Sequence, residues 1–188
     1  MSENSAIAEM SQTSSLDPET YVENIVKASG TSFYWGMKSL SKEKKRAMFA
    51  VYAFCREIDD IADDIYFSKK VKLEKLLIWE KKIYNLFSKK GSNCSLSKEL
   101  FSAIKKYDLS KIDFLSLIHG MRMDIKENIQ FPSKKKLELY CDRVAVAVGY
   151  ISIKIFGLKS QNARKYAFFL GRAFQLTNII RDFGEDIE

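Results

Sequence analysis

Apolar residues recur along this chain at three- and four-residue intervals almost from end to end, the spacing of helices with one buried face. Punctuation divides the pattern. Asp17-Pro18 reads as a capping side chain followed by proline at the first helical position, and Gly30 closes that helix after Ser29. Ser41 is a second cap candidate, before a helix from Lys42 to about Tyr66. Ser68 caps a third helix, to about Lys90, which Gly91-Ser92-Asn93 breaks. Further helices are predicted over 96–107 and 110–128. Pro132-Ser133 punctuates again, and a helix follows from Lys134 to Ile155. Gly157 ends it, and a last helix starts near Ser160 and runs to the end of the chain. No segment alternates apolar and polar residues between turn signals, so the predicted fold class is all-α. Residues 1–16 are polar and Ser-rich with no apolar period; they read as a disordered tail before one domain over 17–188.

Composition narrows the chemistry. At 188 residues and 46% hydrophobic, the chain can bury a sizeable core. Its three cysteines, Cys55, Cys94 and Cys141, are widely spaced with no CxxC pair, which excludes a zinc ribbon and a disulfide framework and points to a reducing compartment. His119 is the only histidine, so a multi-histidine metal site is excluded; it reads as a structural residue. The longest apolar run, Ala47 to Cys55, is too short to span a bilayer, and the N-terminus lacks a secretory pattern. The expected location is cytoplasmic. The net charge of +7 comes mostly from lysine pairs and triplets such as Lys69-Lys70 and Lys134-Lys135-Lys136, which suit solvated faces. Interleaved arginines and exposed aromatics for base contact are not seen, so no nucleic-acid partner is expected. Peripheral association with the inner face of an anionic membrane stays open.

Two acidic segments change the picture. Tyr52 to Asp64 reads YAFCREIDDIADD, five acids within eight residues. Asp59/Asp63 and Asp60/Asp64 are like-charge pairs four apart, each costing a helix roughly 0.2–0.5 kcal/mol. A sequence that breaks local rules this strongly usually does so at a functional site. On a helix Tyr52, Arg56, Asp59 and Asp63 share one narrow stripe. The apolar flanks Phe49, Val51, Ala53, Phe54, Ile58, Ile61 and Ala62 imply that this helix is largely buried, not a solvated acidic face. Buried carboxylates need cations, and hard oxygen ligands without His or Cys suit Mg²⁺. The second segment, QLTNIIRDFGED from Gln175 to Asp186, sets Gln175, Asn178, Asp182 and Asp186 on one polar stripe. Two such helices facing each other would cage Mg²⁺ ions around a diphosphate. A third segment, YCDRVAVAVG from Tyr140 to Gly149, places Tyr140, Val144, Ala147 and Ile151 on one face. Its small side chains admit either a closely packed helix or an apolar ligand.

Together with SGTSFYWGMKSL (29–40) and GRAFQLTNIIRDFGED, these segments resemble the squalene/phytoene synthase family, and within it the presqualene diphosphate synthases of hopanoid pathways. The resemblance covers essentially Ser29 to Asp186. It implies an isoprenoid-synthase helical fold and a prenyltransferase that joins two isoprenyl diphosphates head to head. Carried over, Asp59 and Asp63 match the first Mg²⁺-binding motif, and Asn178, Asp182 and Asp186 the second. Tyr52 and Arg56 match diphosphate-contacting positions, as Gln175 matches the polar position before the second motif. Tyr140 matches the tyrosine that takes the proton at cyclopropane closure. Ser32 and Phe33 match the Ser-Phe pair at the substrate end of the cavity. The implied product from two farnesyl diphosphates is presqualene diphosphate. Phytoene synthase with a C20 substrate is the alternative enzyme, and a non-catalytic relative or a plain helical interaction domain the alternative class. No nucleotide-binding glycine motif supports an NADPH-dependent further step. Val146 stands where the family usually has glycine or serine, which narrows a helix contact. Family members continue with further helices after the second motif, so the expectation is a fragment or truncated product. Apolar surface among Phe168, Phe169 and Phe174 is then expected to be exposed.

Overall fold

The computed structural model describes residues 17–88, 94–127 and 132–185, the last three as backbone alone. The predicted tail over 1–16, the Gly91-Ser92-Asn93 break and Asp186 lie outside the described residues. All regular structure among those described is helical, as the pattern predicts. The order is α1 (Pro18–Ala28), α2 (Phe33–Lys38), α3 (Lys42–Asp63), α4 (Lys69–Phe87), α5 (Ser95–Tyr107), α6 (Lys111–Glu127), α7 (Lys134–Cys141), a π-helical turn (Asp142–Val146), α8 (Ala147–Phe156) and α9 (Gln161–Glu185).

The predicted caps mostly form. Asp17 accepts from the Glu19 and Thr20 amides at 3.1 and 3.2 Å. Ser68 and Ser133 cap α4 and α7, and Ser160 accepts from Ala163 N at 3.1 Å. Ser41 precedes α3 without a side-chain cap. Three boundaries differ from the sequence expectation, each for a local reason. Helix α3 ends at Asp63, not Tyr66, because the Asp64 carboxylate takes the amides of Tyr66 and Phe67 at 2.8 and 3.0 Å, an alternative to the helical ladder. The six-residue α2 was too short to show a period. The predicted helix over 134–155 is divided by the π turn, directly after Tyr140 and Cys141.

Helix α3 is the axis of the bundle. Phe49, Val51, Ala53, Phe54, Ile58, Ile61 and Ala62 are all buried, as their positions beside the aspartates implied. Phe54 meets Trp79 of α4 and Phe114 of α6 edge-on, both with centroids 5.4 Å apart. Buried Glu99 of α5 receives a two-pronged hydrogen bond from Arg46 of α3 at 2.5 and 2.7 Å. Glu80 of α4 holds Arg122 and His119 of α6, the latter at 3.4 Å, so His119 has the structural place expected of it.

The π turn is gripped from two sides by glycines. A Cβ on Gly171 of α9 would lie 2.9 Å from Val146 Cα and 3.0 Å from Val146 N. One on Gly120 of α6 would lie 2.5 Å from Val144 Cγ1. Val144, Val146, Ala147 and Ile151 are buried there, so the YCDRVAVAVG segment packs helices closely, and Gly171 makes room for Val146. Helix α9 buries Ala167 and Gly171 but exposes an opposite apolar arc including Tyr166, Phe169, Leu170, Phe174 and Ile180. Of the three phenylalanines expected at the surface, Phe169 and Phe174 are exposed and Phe168 is half-buried.

Candidate functional site

The C-terminal third of α3 carries its acids on a helix whose other faces are buried. Asp59 is half-buried, and its carboxyl is pushed up to about 7, first by burial, then by Asp63; Arg56 opposes the shift and Asp60 adds to it. Asp63, at the end of the helix, is exposed, not buried as expected, yet the packing beside it still raises its carboxyl, with Arg56 and Lys72 opposing and Asp60 adding. Arg56 bonds Asp60 at 2.8 Å one turn on, beside both motif aspartates. Tyr52 donates to Ser29 Oγ at 3.0 Å, which fixes its ring under the end of α1.

Two other helices complete the acidic centre. Asp124 of α6 is raised by burial and then by Asp63, with Lys72 opposing. Tyr140 of α7 has its phenol pushed up by burial and by the negative field of Asp124, Asp59 and Asp63, in that order. The structure thus brings Tyr140 to the first motif, 77 residues beyond Asp63 in the chain. Asp124 is the residue that sequence reasoning missed. Its signal was faint: a lone acid between buried Met123 and half-buried Ile125. Lys72 of α4 donates to Ala62 O at 2.6 Å, which ties a cation to the carbonyl end of α3 beside Asp63.

The second polar stripe lies along α9. Gln175 and Asn178 are half-buried, and helical spacing sets them on the side of buried Gly171. Asp182 shares that side but is exposed, and it accepts from Arg181 at 3.0 and 2.9 Å. Ser32 and Phe33 open the short α2 and are exposed. Phe33 nonetheless reaches Phe174 of α9, edge-on at 6.4 Å, so the two ends of the chain meet beside the α9 stripe.

Three carboxylates from two helices, all raised, with Arg56 and Lys72 the cations that oppose their field, form a site short of positive charge. Among the described residues no three acidic, histidine or cysteine groups stand close enough to hold a metal by themselves. The donors present are carboxylates, hard oxygen ligands of the kind a divalent cation takes together with water and phosphate oxygens.

The sequence pattern named squalene/phytoene synthase matches residues 26–188. The chain belongs to the squalene/phytoene synthase family. It is 40% identical over 180 residues to a presqualene diphosphate synthase of Zymomonas mobilis, covering 92% of this chain and 61% of that protein. It is 32% identical over 168 residues to a 15-cis-phytoene synthase of Synechococcus elongatus, covering 82% of this chain and 53% of that one. A crystal structure of a dehydrosqualene synthase with ligand superposes with a TM-score of 0.78 at 31% identity, over 90% of this chain and 58% of the other. A squalene synthase from Alicyclobacillus acidocaldarius, at 20% identity and a TM-score of 0.79, supports the fold alone. This family member thus spans 56–61% of the length of the presqualene diphosphate synthases it matches, and 53% of that phytoene synthase.

Proposed function

We propose that the protein serves the head-to-head condensation of two farnesyl diphosphates to presqualene diphosphate. The observation that carries this reading is the grouping of Asp59, Asp63, Asp124 and Tyr140, from three helices, in a member of this family. The similarity to presqualene diphosphate synthases at 40% identity supports the product.

In this reading Arg56 and Tyr52 orient the diphosphate of the ionising substrate, with Gln175 and Asn178 as polar partners from α9. Asp59 and Asp63, with Asn178, Asp182 and Asp186, are the groups that would hold Mg²⁺. Bound Mg²⁺ would neutralise the charge that develops on the leaving diphosphate. Ser32 and Phe33 flank the prenyl chain. The packed helices around α3 keep water from the allylic cation once the C–O bond breaks. The second substrate's double bond attacks that cation, and the proton lost on cyclopropane closure goes to the Tyr140 oxygen. Tyr140, itself held protonated, passes its own proton to a neighbouring carboxylate, so the charge balance closes. The expected compartment is the cytoplasm. Among the described residues no helix is long and apolar enough to cross a membrane.

The test supplies farnesyl diphosphate and Mg²⁺ and analyses the product after dephosphorylation. Presqualene alcohol, not converted to squalene when NADPH is added, is the expected result. Phytoene from geranylgeranyl diphosphate without turnover of farnesyl diphosphate would favour the second reading, for which the similarity to phytoene synthases speaks.

A further inference from the structure

The net charge of +7 is not spread along the chain. Between Asp142 and Asp182 there are seven basic residues and no acidic one, so the remainder of the sequence is balanced. Arg172 and Arg181 of that stretch are paired with Asp142 and Asp182. Arg143 sits in the π turn against Met123 Sδ; the other four, Lys154, Lys159, Arg164 and Lys165, lie around the end of α8 and the start of α9.

Contacts tie that region to other helix ends. Lys154 donates to the carbonyl of Asp108, between α5 and α6. Lys44, near the start of α3, donates to Phe156 O at 3.1 Å at the end of α8. Lys106, in the last turn of α5, pairs with Glu43 in the first turn of α3. One end of the bundle therefore gathers the starts of α3, α6 and α9 and the ends of α5 and α8, and each brings lysine or arginine. The acids there offset little of this. Glu43 is paired with Lys106, Asp17 and Glu19 at the start of α1 face Arg46, Asp113 is buried and faces Arg164 and Lys154, and Asp108 is exposed.

Apolar side chains stand at the same helix ends. Ile112, in the first turn of α6, is 70% exposed; Leu158, in the turn after α8, is 52% exposed; Phe156, the last residue of α8, is 38% exposed. Gly157 between the last two holds φ +80°, a left-handed turn that ends α8 abruptly and leaves them at the tip. Apolar tips ringed by lysines suit an interface with hydrocarbon below and phosphate around it. Ile112 and Leu158, the two most exposed of the three, are branched aliphatics that offer no stacking surface to bases, so a bilayer fits better than nucleic acid.

The opposite end carries both signs: Lys69 on the carbonyl of Lys126, Lys72 on that of Ala62 and Lys136 on Glu127 stand among the acids there. Helix α3 runs from Lys42 at the basic end to Asp63 at the acidic centre, 22 residues or about 33 Å. That is several Debye lengths at physiological salt, so the carboxylates do not cancel the attraction at the basic end. We propose that this basic end docks on a bilayer rich in anionic phospholipid. Ile112, Phe156 and Leu158 enter the headgroup layer, Lys105, Lys154 and Lys159 meet lipid phosphates, and the acidic centre faces away from the membrane.

The test is co-sedimentation of the full chain with vesicles of phosphatidylcholine carrying about 30% phosphatidylglycerol, beside pure phosphatidylcholine, with binding taken over a range that resolves electrostatic attraction of about a fivefold affinity gain per lysine. Binding to the anionic vesicles alone, lost in high salt, is expected. Lys105→Gln with Lys159→Gln should weaken it roughly twentyfold. Ile112→Ser with Leu158→Ser should weaken it at least tenfold. Lys81→Gln with Lys135→Gln, which removes equal charge elsewhere, should leave it unchanged, and unaltered melting curves exclude misfolding. Equal binding to both vesicles overturns the proposal. So does loss of binding in Phe169→Ser with Leu170→Ser while Ile112→Ser with Leu158→Ser binds normally, since the lipid would then sit on α9. Tight binding of an RNA oligonucleotide that the Lys105/Lys159 variant weakens, without vesicle binding, would reassign the basic end to nucleic acid.

Discussion

Asp59 carries the clearest local conflict in the molecule: a carboxylate on the most buried helix, with Asp63 one turn away and its own proton held up to about 7. In a protein selected for stability alone an amide would serve better there. Asp59→Asn should therefore stabilise the Mg²⁺-free chain at pH 8 by about 2 kcal/mol, allowing for partial solvent contact, and the rise should show in thermal melts. The sign follows from linkage. A carboxyl raised in the folded state destabilises above its folded value, so the gap between variant and parent should shrink as the pH falls through about 7. The same variant should lose Mg²⁺-dependent turnover. A variant that melts as the parent does at pH 8 would count against the charge conflict. Tyr140 shares that field, but as a phenol it is held in its neutral form, ready to pass a proton rather than to keep a charge.

Between elements, two joints hold the acidic centre in shape. The first is the π turn between Gly120 and Gly171. Gly171→Ala places a methyl against the Val146 backbone, which cannot rotate away as a side chain can. It should cost about 1–3 kcal/mol, read as a lower denaturant midpoint. The second joint is Glu80, which holds α4 against α6 through Arg122 and His119. Arg122 holds its carboxyl below the usual range, against the opposing effect of burial, and His119 adds to the lowering. A lowered carboxyl contributes stability that is present above its unfolded value and lost as pH falls through its folded one. Glu80→Gln should accordingly cost about 1–2 kcal/mol at pH 7 and progressively less as the pH falls below the ordinary carboxylate range, checked by denaturant melts at pH 7 and pH 3. Loss at pH 3 equal to that at pH 7 would mean that packing, not charge, makes this joint.

Over the whole molecule, polarity is arranged along the α3 axis and apolar surface across it. One end of the bundle gathers the exposed basic excess and the other holds the clustered carboxylates among lysines, while α9 presents an apolar arc outward along the side. Phe169 at 57% exposure and Leu170 at 53% form part of that arc, which is large for a chain free in water. The 188-residue chain should associate as its concentration rises, seen in light scattering. Phe169→Ser with Leu170→Ser should restore a monodisperse species without lowering the melting temperature, because neither side chain is buried.

Local chemistry and period were readable from the sequence alone: the all-α class, most caps, the burial of α3 and the acidic stripe along it. These depend on residues within a few positions of each other, where geometry is set by 3.6 residues per turn. Even there Asp64 ended α3 early, because a side chain competing for amides leaves no mark on apolar spacing. What the fold alone decided involves distant partners. Asp124 joined Asp63 only when α6 crossed α3, and Phe33 met Phe174 across 141 positions. The π turn arose where Gly120 and Gly171 let two helices approach one backbone, a constraint that an alternating Val-Ala run does not announce. The charge polarity followed the same rule. Lysines scattered over 42–165 read as a solvated background until the bundle brought helix ends together, because electrostatic fields add in space and not along the chain.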